Sequence, residues 1–304
     1  MPPPHLRHRL CLRGAGKERS MRWWTRIFVV SMCLIIWLVS ATLVLTDEAN
    51  AETWNHRAYA SLSKNSPAKS KYVQGVAYDG TKYAYVVKQN SSKYQMLWRV
   101  NMNKGGKAVK LSVSKKAKKA IYHGNDLEYV KVGSSQYLLV APCKAKSRYL
   151  IVLNVKGKKV TYNKRIYCGF ANKVSAVAKV GQDGNRVKLI LGKNKKLWMV
   201  TIDLRFGTYW KKHGRVYGYV SNQGINYKDG YLLATDGGYK TKLANVRKYR
   251  LVQTGSNYKL VKVWTRKIKG EAEGAFFDKR GKVCIACEGK WHWSYSDRIV
   301  RWTR

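Results

Sequence analysis

The chain has 304 residues, with 60 Lys and Arg against 16 Asp and Glu, a formal charge of +44. A field of that sign repels copies of the same molecule and other cationic surfaces, and attracts polyanions with a strength that falls steeply with salt. The length is enough for one domain that buries its own core.

In chain order, residues 1–20 read as an upstream extension, because a natural signal peptide could begin at Met21. Arg22 and Arg26 precede an uncharged run from Ile27 to Leu45, and Ala49-Asn50-Ala51 has the small-x-small form that signal peptidase reads. Residues 21–51 are therefore expected to be a secretory signal cleaved before Glu52. The same run is long enough to serve as an uncleaved membrane anchor. Either outcome delivers the remainder outside the cytoplasm, secreted or at the cell surface. Setting aside residues 1–51 takes away seven of the 60 basic and three of the 16 acidic residues, so the exported part stays near +40.

From Tyr72 onward the sequence repeats itself. Gln74-Gly75-Val76-Ala77-Tyr78 returns as Asn125-Asp126-Leu127-Glu128-Tyr129, Val174-Ser175-Ala176-Val177, Gln223-Gly224-Ile225-Asn226-Tyr227 and Glu273-Gly274-Ala275-Phe276-Phe277. Measured at Gly75, Asp126, Ser175, Gly224 and Gly274, the spacings are 51, 49, 49 and 50 residues. Turn glycines at Gly80, Gly133, Gly184, Gly230 and Gly281 keep the same phase. A period near 50 with several short, apolar-alternating strands per unit predicts an all-β, five-bladed β-propeller. Its domain spans 52–304, with blades at about 73–117, 123–168, 172–214, 221–266 and 271–304. The fourth strand of the first blade is placed at Ala108 to Val113, and no long amphipathic helix is foreseen.

The fifth unit offers three strands and then stops. A ring must close, so Trp54 to Leu62 is predicted to pair beside Asp297 to Trp302 and complete the last blade.

The residues that open each repeat should gather at the entrance of the central channel. They are Gln74, His123, Asn125, Asp126, Asn172, Lys173, Asn222, Gln223, Glu271 and Glu273. Convergent polar groups on a rigid ring make a candidate ligand-binding funnel, or hold water and one another. His123, Asp126 and Glu273 are the weak catalytic candidates, as an imidazole with carboxyls whose neighbours raise their pKa. Asp126 and Glu128, two apart, should share a strand face. Lys290, Trp291, Trp293, Arg298 and Arg301 form an aromatic and basic cluster suited to sugar stacking, membrane interfaces, interblade packing or single-stranded nucleic acid, the last disfavoured by export.

Cys143 and Cys168 could pair within blade two. Cys284 and Cys287, three apart on a strand, point to opposite faces and do not suit redox chemistry. The histidines fall in unrelated phases, and no metal or other cofactor is expected. Metalloprotease, nucleophile-elbow, P-loop and calcium-loop motifs are absent from the sequence.

Gln74-Gly75-Val76-Ala77-Tyr78-Asp79-Gly80 resembles the opening repeat of the five-bladed glutaminyl cyclotransferases. Glu271-Ala272-Glu273-Gly274 with its following strands resembles the final repeat of helveticin-type class III bacteriocins, and Gln223-Gly224-Ile225 their penultimate one. The first resemblance implies a funnel-sited acyl transfer, the second a secreted propeller acting at cell envelopes. The expected partners are anionic cell-wall polymers or lipid headgroups, with no specific nucleic acid and a monomeric state. A purely structural interaction module is the remaining alternative.

Overall fold

The computed structural model describes residues 56–61, 70–90, 95–104, 106–143, 148–169, 171, 173–193, 196–218, 223–237, 243–288 and 298–302. The expected signal or anchor at 21–51, Asn172, Asn222, and Lys290, Trp291 and Trp293 of the aromatic-basic cluster lie outside these residues. Among the described residues, no helix is long and apolar enough to cross a membrane.

Among the described residues twenty-two strands follow one another along the chain. The first sheet contains β2 (Ser70–Tyr78), β3 (Tyr83–Asn90), β4 (Gln95–Asn101) and the two-residue β6 (Val109–Lys110). The second runs β8 (Asp126–Val132), β9 (Ser135–Ala141), β10 (Tyr149–Lys156), β11 (Lys159–Tyr167), with β7 (Ser112–Val113) at its outer edge. Third and fourth are β12 (Ala176–Asp183), β13 (Arg186–Lys193), β14 (Lys196–Asp203), β15 (Thr208–Tyr217), and β16 (Ile225–Lys228), β17 (Tyr231–Thr235), β18 (Leu243–Thr254), β19 (Asn257–Lys269). Their outer strands meet in a short parallel pairing of β15 with β19. The fifth contains β20 (Glu271–Phe277), β21 (Val283–Glu288), β22 (Arg298–Trp302), then β1 (His56–Ser61) and β5 (Gly106–Lys107).

The ring is closed by this last arrangement. β1 pairs antiparallel with β22, from His56 opposite Trp302 to Ser61 opposite Arg298. The innermost strands β2, β8, β12, β16 and β20 each lie against the next, and β20 lies against β2.

Packing follows the same cycle because side chains on each strand alternate between the sheet's two faces. On β3, Val86 joins the apolar cluster shared with the fifth sheet, while Tyr85 and Val87 join the one shared with the second. Five such clusters fill the five interfaces between neighbouring sheets. Cys284 and Cys287 fall in different clusters, as their spacing requires. Cys143 and Cys168, which could have paired within blade two, are not joined by a disulfide.

Two details differ from the sequence reading. The fourth strand of the first sheet is broken into three pieces within 106–113: β5 runs parallel to β1, β6 antiparallel to β4, and β7 parallel to β11. A single ribbon thus touches three sheets. It is followed by a short helix, α1 (Lys115–Ile121), whose N-cap Ser114 accepts a hydrogen bond from Ala117 N at 3.3 Å. Ala117 and Ile121, four apart, bury one face of α1 between the first two sheets.

Candidate functional site: the polar axis

The markers of the repeat converge where the five inner strands meet, and size explains which residues stand there. A Cβ added at Gly75 would come within 2.5 Å of Asp126 Cα, and one at Gly224 within 2.9 Å of the Glu273 carbonyl oxygen. One at Gly274 would sit 2.7 Å from Val76 Cγ1. These glycines are required by close approach. The turn glycines answer a different demand: Gly80, Gly133, Gly184, Gly230 and Gly281 all adopt positive φ with open space around them.

An inner strand has a partner on one edge only. Its other edge faces the axis, where water is scarce and a bare N–H is costly. The second sheet supplies the acceptors. Asp126 is buried, and its Oδ2 accepts Val177 N of β12 at 2.9 Å and Ile225 N of β16 at 3.0 Å, while Oδ1 accepts Leu127 N at 3.0 Å. Glu128, on the same face, accepts Lys179 N at 2.8 Å and Tyr129 N at 2.9 Å. The Asn125 amide donates to Ser175 O at 2.8 Å and to Gln223 O. Three residues at the opening of one strand, Asn125, Asp126 and Glu128, therefore tie three sheets together.

Burial sets the charge state of this cluster. It raises Asp126 well above the ordinary carboxyl value, against the pull of its three N–H donors. It pushes Glu128 up to about 7, with the Lys179 and Tyr129 N–H groups and the Lys179 charge opposing. On the fifth sheet, Glu271 is also raised by burial, and its hydrogen bonds with the Glu273 and Gln223 side chains pull it back. Glu271 and Glu273 are both buried.

Of the sequence candidates, the structure thus gathers Asn125, Asp126, Gln223, Glu271 and Glu273 at the axis, and adds Glu128 and Ser175. Gln74 is buried on β2 and its side-chain amide donates to its own neighbour's carbonyl, Val73 O, at 2.7 Å. His123 stands apart from the carboxylates in its interactions. Burial, and next the Lys173 charge, pull its imidazole below the usual value. Both Asp126 oxygens are taken up by backbone N–H groups. Arg298 and Arg301 lie on β22, where Arg301 pairs with Asp278 at 3.1 Å. Among the described residues no group of three or more His, Cys, Asp or Glu is placed to hold a metal ion.

Four further described acids, Asp79, Asp203, Asp236 and Asp278, repeat the pattern of the axis. Asp79 Oδ1 accepts the N–H groups of Thr81, Lys82 and Tyr83, Asp203 Oδ1 those of Arg205 and Phe206, and Asp278 Oδ1 those of Arg280 and Lys282. Asp236 holds Asn245 and Arg247. Of the acids whose burial is described, Asp183 and Asp229 alone are exposed. Lysines and arginines turn instead to carbonyls and rings: Arg99 donates to Gly157 O at 2.9 Å and lies 4.1 Å from the Tyr83 centroid, and Lys164 donates to Leu204 O and Arg205 O.

No protein-family model and no curated protein matches the chain. Among solved structures it is similar to the native Bacillus subtilis arabinanase Arb43A, at 8% identity and a TM-score of 0.50, over 76% of this chain and 94% of that one. The compost-metagenome GH43 enzyme CoXyl43 matches at 8% identity and TM-score 0.49, over 82% of this chain and 94% of that one. The Dos1 propeller matches at 8% and 0.38, over 78% and 69%. At such identity the likeness speaks for fold alone, and the cyclic order of the sheets makes this chain a β-propeller.

Proposed function

We propose that the protein is an exported, cationic propeller that docks on anionic cell-envelope polymer, in the manner the helveticin resemblance implies. The observation that carries this reading is where the acids go. Among the acids whose burial is described only Asp183 and Asp229 are exposed, and most of the others accept backbone N–H groups or pair with Arg247 or Arg301, so the described surface presents lysine and arginine almost unopposed. Such a surface binds polyanions through many weak, screened contacts rather than one pocket. The test is retention on purified cell walls across a salt series. Strong retention at low salt, lost by moderate salt and lost when wall teichoic acid is stripped, is expected; indifference to teichoic acid overturns the reading.

A second reading, a funnel-sited acyl-transfer enzyme, draws on Glu271, Glu273 and Gln223. Two hydrogen-bonded buried carboxyls, one of them raised, are the makings of a general acid beside a base. It requires turnover of a glutaminyl peptide that Glu271→Gln abolishes while folding is retained.

A further inference from the structure

Away from the axis, a groove of about 420 Å³ opens between the fourth and fifth sheets, lined by Lys248, Trp264, Phe277, Arg280, Lys282 and Trp302. Its volume falls within the range of small-ligand sites, of order 300 to 1,000 Å³. Trp264 of β19 and Trp302 of β22 face each other across the sheet boundary, ring centroids 5.4 Å apart and planes inclined by 56°. Phe277 and Trp302 are buried, forming the floor, while Arg280 and Lys282 in the β20–β21 turn are exposed at the rim. Lys248 reaches in from β18, its ammonium 3.8 Å from the Tyr231 centroid and 5.8 Å from that of Phe277.

Among the described residues no acid lines this groove. The nearest in sequence, Asp278, is turned inward, with one oxygen on the Arg280 and Lys282 N–H groups and the other on Arg301. That same Asp278 holds the turn in shape, so the two rim cations are presented on a fixed loop.

We infer that this groove binds a saccharide unit of an acidic glycan, its ring lying on the half-exposed Trp264, which Trp302 backs from beneath, and its carboxylate or neighbouring anionic group meeting Lys282, Arg280 and Lys248. Aromatic faces take the C–H surface of a sugar, and cations take its charge. The concave form and the buried floor argue against a bilayer, since an aromatic side chain that anchors in lipid must project outward. The inference rests on the polyanion reading for its charge component and adds ring recognition to it.

The test uses the full chain and affinity electrophoresis at fixed ionic strength, with oligogalacturonate, inorganic polyphosphate of matched charge, a neutral galacto-oligosaccharide and single-stranded oligothymidylate as probes. Expected is tighter binding of oligogalacturonate than of polyphosphate. Trp264→Ala should weaken oligogalacturonate binding about five- to tenfold with polyphosphate unchanged, a loss of the size aromatic contacts supply. Trp264→Phe should restore part of it. Lys282→Glu, on an exposed turn, serves as the second variant and should weaken the same probe. Equal affinity for polyphosphate and oligogalacturonate, or for oligothymidylate and oligogalacturonate, with Trp264→Ala and Lys282→Glu both without selective effect, overturns the groove while leaving general polyanion docking intact. Failure of every anionic probe to bind overturns both.

Discussion

Asp126 shows how one side chain can serve three strands. Its carboxylate accepts N–H groups from its own strand and from the inner edges of two neighbours, so an amide in its place would turn an NH2 toward a backbone donor. Asp126→Asn is expected to destabilise the fold by about 2 kcal/mol, the scale for a buried backbone donor left without its acceptor, as measured by urea denaturation. Glu128 gives a pH signature instead. Its carboxyl ionises near pH 7 in the fold and near its ordinary 4.5 when unfolded, so between these values the folded chain holds a proton that the unfolded chain has released. Its contribution is complete below about pH 4.5 and is lost as pH rises through 7. Relative to Glu128→Gln, the wild type should lose up to about 3 kcal/mol between those limits, and parallel denaturation profiles of the two proteins would refute the assignment. At this scale the sequence was legible in position and silent on partners. The repeat phase put Asp126 at the axis and two-residue spacing put Glu128 on its face, but the N–H groups they serve lie some 50 and 100 residues away, and nothing local names them.

Among the elements, β1 was foreseen because a three-stranded last unit leaves an open edge, and it lies where that argument put it, beside β22. Deleting residues 56–61 strips both β22 and β5 of a partner. We expect one cooperative transition lowered by at least about 10 °C rather than a frayed end, and partial recovery on adding a peptide of residues 54–62, as an added strand fills an open edge. Two separate thermal transitions would show instead that the sheets fold independently. The 106–113 ribbon was not foreseen. Its three pairings are two residues each, too short to leave an alternation in the sequence, and their partners belong to three different sheets. Helix α1 was hidden for another reason: Lys115, Lys116, Lys118 and Lys119 look like a solvated run, and its signal is confined to the Ser114 cap and two apolar residues.

For the whole molecule, economy of acids is the governing fact. A chain with 16 carboxylates and 60 cations that used its acids in surface ion pairs would gain little, since exposed pairs contribute near zero. Used inside, they satisfy buried donors, and the self-repulsion of the unopposed exterior is left as a cost to stability. A bound polyanion should therefore stabilise the fold: inorganic polyphosphate in excess is expected to raise the melting temperature by several degrees at low salt, with the gain erased by added sodium chloride. A melting temperature unmoved by polyphosphate at low salt would mean that the exterior charge is too dispersed to engage it.

Joining His56–Ser61 to Arg298–Trp302 also dictates when this protein can exist. Because β22 is synthesised only after the strands of the other four sheets, those sheets can assemble first while the fifth waits with an exposed flank. Until that moment the nascent chain has a sticky seam, the interval in which a chaperone would find it still open.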